Sequence, residues 1–247
     1  MPVPEAPATL HVRPTAPLAE RVLLPGDPGR ALALAQALLL EPRMFNHHRG
    51  LWGYTGTTAD GVEITIQATG MGGPSAAIVM HELIALGARS AIRVGSAGAL
   101  SPRLGLGDLV VAREAICADG TSRALTRQER VGAHADLTAA LERAAPAALA
   151  GTVVSVDLFY EEDAACLRDG DGAALSTPMR GDAIAIEMEA ATLFALGAAA
   201  QIPVACVLAV SDTFEAAGGE RRRIEDGALL ESAEAMAGAA IAALAEL

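Results

Sequence analysis

The chain has 247 residues, of which 52% are hydrophobic, and a formal net charge of -12 at pH 7. That length and apolar content suffice for one sizeable α/β domain, while the negative charge excludes a nucleic-acid partner, which needs a basic face. All 18 basic residues are Arg, so Schiff-base chemistry, pyridoxal enzymes and the nucleotide P-loop, which each require a lysine amine, are excluded too.

Cys117, Cys166 and Cys206 are odd in number and widely spaced, which argues for a reducing, intracellular setting and against a disulfide framework or cysteine metal site. Residues 1–14 lack the charged start and apolar run of a signal peptide. The apolar stretch 31–40 is short for a membrane span and is interrupted by Gln36. The expectation is a cytoplasmic protein with no membrane partner, folded as a single domain over 1–247.

Residues 21–24 predict a strand ending at Pro25-Gly26-Asp27-Pro28, followed by a helix over 29–40. Gly26 permits close backbone approach to a ligand, Asp27 suits a helix cap, and Arg30 rides on the first turn beside the positive dipole end. This unit is either an anion loop or a capped helix with a solvated arginine. Two further strands, 51–58 and 62–67, are joined by a polar turn at 59–61. His47 and His48 are adjacent, so on a strand they diverge and chelate poorly. Arg49 stands before a glycine at the hairpin entrance, either in solvent or facing a neighbouring subunit. Residues 70–75 form a glycine-dense turn leading into a helix over 75–86, without the spacing of a dinucleotide fingerprint.

Residues 91–98 read as a buried strand running into a second glycine-rich turn, with Arg93 as a permanent cation in an apolar run. A buried guanidinium is costly unless an anion meets it. Gly95, Ser96 and Gly98 let backbone N–H groups and a hydroxyl close on the same spot, at the strand end where open α/β sheets bind ligands. An oxyanion site and an arginine paired with a structural carboxylate both satisfy this pattern. A strand from 107 to 112 and an Ala-rich helix over 136–148 follow. The strand 153–156 delivers Asp157, Phe159 and Tyr160, which serve either a planar-ligand pocket or the core. Residues 183–186 predict a short strand, and Glu187-Met188-Glu189 is expected to open a helix to 200. Two residues apart on a helix, the carboxylates diverge by about 200°, so one of them, Glu189, is expected to face the pocket and accept from sugar hydroxyls. The last core strand, 204–210, closes on Ser211-Asp212-Thr213-Phe214. Residues 220–223 read as a charged, mobile segment and 224–247 as a closing helix.

Seven ordered motifs, LLPGDPGRA at 23–31, HRGLWGYTG at 48–56, GMGGPSAAI at 70–78, IRVGSAGAL at 92–100, VDLFY at 156–160, IEMEAA at 186–191 and VSD at 210–212, together resemble the hexameric, bacterial-type purine nucleoside phosphorylases. Their relatives include uridine phosphorylase. The resemblance implies a single α/β domain with a central mixed, largely parallel twisted sheet flanked by helices. It implies phosphorolysis of purine nucleosides, with inorganic phosphate as co-substrate and no cofactor or metal, in a homo-oligomer, a hexamer built from dimers. Gly26, Arg30, Arg93 and Ser96 would hold phosphate, with Arg49 arriving from the adjacent subunit. His11, also from the neighbour, would meet the sugar 5′-hydroxyl. Met71, Met188 and Glu189 match ribose contacts, with Glu187 beside them. Phe159, Ile186 and Ser211 match the base pocket, and Asp212 the acid at purine N7. A shortened loop leaves Arg221, from the triple Arg221-Arg222-Arg223, as the arginine assisting Asp212.

Three rivals differ at identifiable positions. Uridine phosphorylases resemble a pattern with Gln and Arg in an inserted segment, whereas 168–180 here contains no Gln. Nucleosidases of the same fold use water and lack the phosphate arginines that Arg30, Arg49 and Arg93 represent. A non-catalytic nucleoside-binding module would bind without releasing free base.

Overall fold

The computed structural model describes residues 9–160, 182–214 and 221–247. The insert used above to weigh pyrimidine against purine, and Cys166, lie outside them. In chain order the strands are β1 (Arg21–Leu24), β2 (Leu40–Asn46), β3 (Gly53–Thr57), β4 (Glu63–Gln67), β5 (Ser90–Ala99), β6 (Leu109–Cys117), β7 (Arg130–Gly132), β8 (Leu149–Ser155), β9 (Ala185–Glu187), β10 (Val204–Phe214) and β11 (Arg221–Arg223). The helices are α1 (Pro28–Leu38), α2 (Gly73–Leu86), α3 (Gly120–Leu125), α4 (Ala135–Ala144), α5 (Ala190–Ala200) and α6 (Asp226–Ala245).

The strands form one mixed sheet between two helical layers, as the family resemblance implies. Ala91, Ala97, Val204, Cys206, Leu208 and Val210 face α2 and α5; Ile92, Val94, Ala205, Val207 and Ala209 face α1, α4 and α6. Burial on both faces explains why β5 and β10 read as continuous apolar runs without alternation. By length and composition α6 could cross a membrane. Here its stripe of Ala233, Met236, Ala237, Ala240 and Leu244 is buried against the second core layer.

β5 organises the sheet. Its first half pairs in parallel with β1, up to Leu24 opposite Arg93. Its last residues pair instead with β9, at Gly98 opposite Ile186 and Ala99 opposite Ala185. β10 runs parallel to β5 along the other edge, with a register irregularity between Val210 and Asp212. Because β10 also pairs β6, and β6 leads through β8 to β9, the far end of the sheet closes into a ring. The sheet therefore forks at β5 just beyond Arg93.

Element boundaries differ from expectation in instructive places. Leu40–Asn46 is a strand with five exposed residues, a poor match to any apolar alternation. Arg221–Arg223 is an edge strand pairing antiparallel with Asp212–Phe214, not a mobile segment; its register, and not an apolar pattern, orders it. Helix α5 begins at Ala190 with Glu189 as its N-cap, so Glu187 belongs to β9.

Two glycines give opposite expectations for stability. A Cβ on Gly197 in α5 would meet Val204 Cγ2 at 2.4 Å and the Ile202 carbonyl oxygen at 3.1 Å, whereas one on Gly238 in α6 would meet nothing within 4 Å. Chemical denaturation should show Gly197→Ala destabilising by about 1–3 kcal/mol through overpacking, and Gly238→Ala stabilising by about 0.5–1 kcal/mol through restored helix propensity.

Candidate active site

Arg93 is 3% exposed, and its guanidinium is gripped on two sides. Nε donates to Glu187 Oε2 at 2.9 Å, and Nη2 meets Glu189 Oε2 at 2.5 Å. The side chain folds back over Gly95, where an added Cβ would lie 2.7 Å from the guanidinium carbon, so the arginine needs glycine two residues ahead of it. The remaining nitrogen, Nη1, faces the β1–α1 loop, 4.0 Å from the Cβ position of Gly26. Burial opposes the charge on Arg93, but the two carboxylates outweigh it and hold the pKa above the ordinary guanidinium value.

Glu187 sits behind Arg93 with its side chain closed to solvent. Its Oε1 accepts from the Ser155 hydroxyl, and its carboxylate accepts from the backbone N–H of Glu189 and Ala190 at 2.9 Å. Ser155 Oγ accepts from Ala191 N at 2.9 Å. The first N–H groups of α5, which a helix leaves unpaired, are thus satisfied by the strand residues that also fix Arg93. Glu189 is buried as well, and its Oε1 accepts from Gly72 N at 2.5 Å. Both carboxylates therefore converge on one guanidinium. The expected divergence fails because they lie on a strand end and a cap, not on consecutive helical positions.

Arg30 stands beside this cluster. Its backbone N–H donates to Asp27 Oδ1 at 2.6 Å, making Asp27 the cap of α1 with Pro28 in the first turn. Its guanidinium has no ion-pair partner among the described residues, and burial together with the nearby Arg93 charge lowers its pKa. Ser96 is partly open and its hydroxyl has no hydrogen-bond partner among the described residues. Gly26, Arg30 and Arg93 thus come together, with a guanidinium edge and a capped helix start facing one space.

A second cluster occupies the ends of β10 and β11. Asp212 is 4% exposed; its Oδ1 accepts from Arg221 Nε at 2.9 Å and its Oδ2 from the Ser211 hydroxyl at 2.7 Å. The irregularity at Ser211 re-aims these side chains, as bulges do beside binding sites. The Arg221 guanidinium lies 4.3 Å from the centre of the Phe159 ring, and Phe159 packs edge-on against Tyr160. Phe159 and Tyr160 are exposed, as are Leu158 and Met71; Ile186 and Met188 are half-buried. Asp212 is level with Gly98 on β5, three residues beyond Gly95. At a strand rise near 3.3 Å, the two clusters stand about 10 Å apart along the strand, on the scale of a nucleoside.

His11 and Arg49 lie on another rim. Glu82 of α2 accepts from His11 Nδ1 at 2.8 Å and from the backbone N–H of Leu10, His11 and Val12. Buried Asn46 accepts from Arg13 N and His48 N and donates to the Leu51 carbonyl, staking out the turn on which exposed Arg49 adopts φ 59°. Neither His11 nor Arg49 contacts Arg30, Arg93 or Glu189 among the described residues. Sequence reading missed Ser155, Glu82 and Asn46. Each is a polar residue within an apolar or strand-like run, a signal without a specific chemistry until the fold supplies its partners.

The family model described as "Phosphorylase superfamily" matches residues 20–246. A purine nucleoside phosphorylase of the DeoD type from Roseobacter denitrificans is 36% identical over 91% of this chain and 97% of its own. One from Geobacillus kaustophilus is 35% identical over 89% and 93%. A uridine phosphorylase from Thermococcus kodakarensis is 37% identical over 78% of this chain and 73% of its own. Among solved structures, uridine phosphorylase from Vibrio fischeri ES114 superposes with a TM-score of 0.76 at 25% identity, covering 93% of both chains.

Two outcomes follow from this geometry. Arg93→Met leaves two buried carboxylates without their cation and should cost about 3–5 kcal/mol of stability, whereas Arg30→Met should change denaturation by no more than about 0.5 kcal/mol. Burial raises the Glu82 carboxyl, but hydrogen bonds from Val12, His11 and Leu10 outweigh it and set its pKa below the ordinary value. The anchoring is therefore complete above the free carboxylate pKa of about 4.3 and is lost as pH falls through the depressed value. The NMR amide signals of Leu10, His11 and Val12 should titrate together in that range; separate or absent titrations would contradict it.

Proposed function

The chain belongs to the phosphorylase superfamily, and from that premise we propose that it cleaves purine ribonucleosides and deoxyribonucleosides with inorganic phosphate, giving free base and pentose 1-phosphate. The observation that carries this reading is the buried Arg93, held by Glu187 and Glu189 with Nη1 turned toward Gly26 and Arg30 beside it. Guanidinium groups bind phosphate oxygens bidentately and stay charged. Phosphate seated on Gly26, Arg30, Arg93 and Ser96 is aimed along β5 toward the sugar.

In the reaction a phosphate oxygen forms a bond to C1′ while the C1′–N9 bond breaks, and the electron pair departs with the base. Glu189 holds the sugar hydroxyls and stabilises the positive charge that builds on the ring, with Met71 and Met188 covering the ribose. Phe159 and Ile186 enclose the base. Asp212 enters the reaction as the carboxylic acid, gives its proton to N7 and is left as the carboxylate that Arg221 and Ser211 hold, and a positioned acid of this kind contributes about 10² to 10⁴ in rate. No cofactor takes part. His11 and Arg49, remote from this cluster within one chain, complete the site of an adjacent copy in a homo-oligomer, a hexamer of dimers acting in the cytoplasm.

Purine is preferred over pyrimidine because Asp212 with Arg221 provides an acid where N7 would lie, and because curated relatives named as purine phosphorylases align over nearly the whole chain. The uridine phosphorylases from Thermococcus kodakarensis and Vibrio fischeri keep uridine as the second reading.

Product analysis with inosine, adenosine and uridine, each with and without phosphate, tests the proposal. Free purine should appear only when phosphate is present. Release without phosphate indicates hydrolysis, release from uridine alone indicates the pyrimidine reading, and binding without release indicates a non-catalytic module. Asp212→Asn should lower adenosine kcat by about 10² or more while phosphate affinity stays near wild type; unchanged adenosine kinetics would remove Asp212 from the reaction.

A further inference from the structure

The anion seat is already occupied by the protein's own carboxylates. Of the three Arg93 nitrogens, Nε is taken by Glu187 at 2.9 Å and Nη2 by Glu189 at 2.5 Å, leaving Nη1 on the Gly26 side. The charges of Arg93 and of the nearby Arg30 together equal those of Glu187 and Glu189, so the cluster is neutral before any phosphate arrives. A divalent oxyanion entering this enclosed space would leave it strongly negative, a costly arrangement at low local dielectric. The two carboxylates are not equally able to yield. Glu187 is fully enclosed and bonded to Ser155 and the start of α5. Glu189 is also buried but is held by only two contacts, Arg93 and the N–H of Gly72, the latter in a turn where Gly72 has φ 85° and Met71 is 85% exposed.

We infer that phosphate and Glu189 compete for the Nη2 edge of Arg93, so that phosphate binding releases the Glu189 carboxylate toward the sugar hydroxyls and the two substrates bind synergistically. The inference rests on the phosphorylase reading and adds to it a physical link between the anion seat and the ribose seat. The same guanidinium edge cannot serve a carboxylate and a phosphate fully at once. Either ligand therefore lowers the cost of admitting the other: phosphate by displacing Glu189, a nucleoside by engaging the carboxylate elsewhere. Such coupling is reciprocal by thermodynamic necessity. Burial pushes the Glu189 carboxyl upward against the pull of Arg93, consistent with a charge whose place in the site depends on keeping a partner.

Calorimetric titration with inorganic phosphate tests this, with and without a saturating C-nucleoside, whose carbon glycosidic bond cannot be cleaved. In the wild-type protein the C-nucleoside should lower the phosphate Kd about fivefold or more. In Glu189→Gln, which removes the competing charge, phosphate alone should bind about fivefold or more tightly than in wild type, and the effect of the C-nucleoside should disappear. A phosphate Kd in Glu189→Gln equal to or weaker than wild type, or a wild-type Kd indifferent to the C-nucleoside, would overturn the inference while phosphate-dependent turnover left the phosphorylase reading standing. Wild-type protein that binds no phosphate would overturn both. A thermal melt of Glu189→Gln confirms folding, and if the variant is unfolded the wild-type coupling decides alone.

Discussion

A guanidinium removed from water is the constraint on which this molecule turns. Desolvating Arg93 is expensive, and its attraction to Glu187 and Glu189 offsets that cost only because the geometry is close and the carboxylates take further hydrogen bonds from Ser155 and from backbone N–H groups. Those demands spread outward. Gly95 must lack a side chain so that the guanidinium can fold over it, Ser155 must satisfy Glu187, and α5 must begin where its free N–H groups can share the same carboxylate.

Topology supplies the rest. The fork at β5 leaves β1 and its capped helix on one side of Arg93, and β9 with Glu187 and the α5 cap Glu189 on the other. Parallel pairing brings β10 to the same carboxyl edge, so Asp212 and Arg93 share one side of the sheet although they are distant in sequence. The two clusters on that edge carry opposite chemistry. One gathers the Arg93 and Arg30 guanidiniums beside a capped helix start; the other holds a carboxylate steadied by Arg221 over an exposed aromatic pair.

Much of this was legible in the sequence. An arginine inside an apolar strand followed by glycines, a Pro-Gly-Asp-Pro turn before a helix, and an acid at the end of the last core strand each carry a chemical reason, and seven ordered motifs resembling one family raise their joint meaning. What could not be read depends on tertiary register. Nothing in Glu187-Met188-Glu189 says that the helix starts only at Ala190, three residues beyond Glu187, with both carboxylates turned onto Arg93. Nothing in Arg221-Arg222-Arg223 says that antiparallel pairing with Asp212–Phe214 will select Arg221 as the partner of Asp212. Leu40–Asn46 is exposed along most of its length, so its strand character comes from pairing with β3 and not from its own pattern. His11 and Arg49 show the complementary case, since their expected roles belong to an assembly and a single chain places them on a separate rim.

The account stands or falls on where an oxyanion settles. A crystal structure of the protein with inorganic phosphate should show the anion against the Nη1–Nη2 edge of Arg93, the Arg30 guanidinium and the Gly26 backbone, with Glu189 turned away from Nη2. Phosphate bound elsewhere, with Arg93 still enclosed by its two carboxylates and Arg30 turned to solvent, would contradict it.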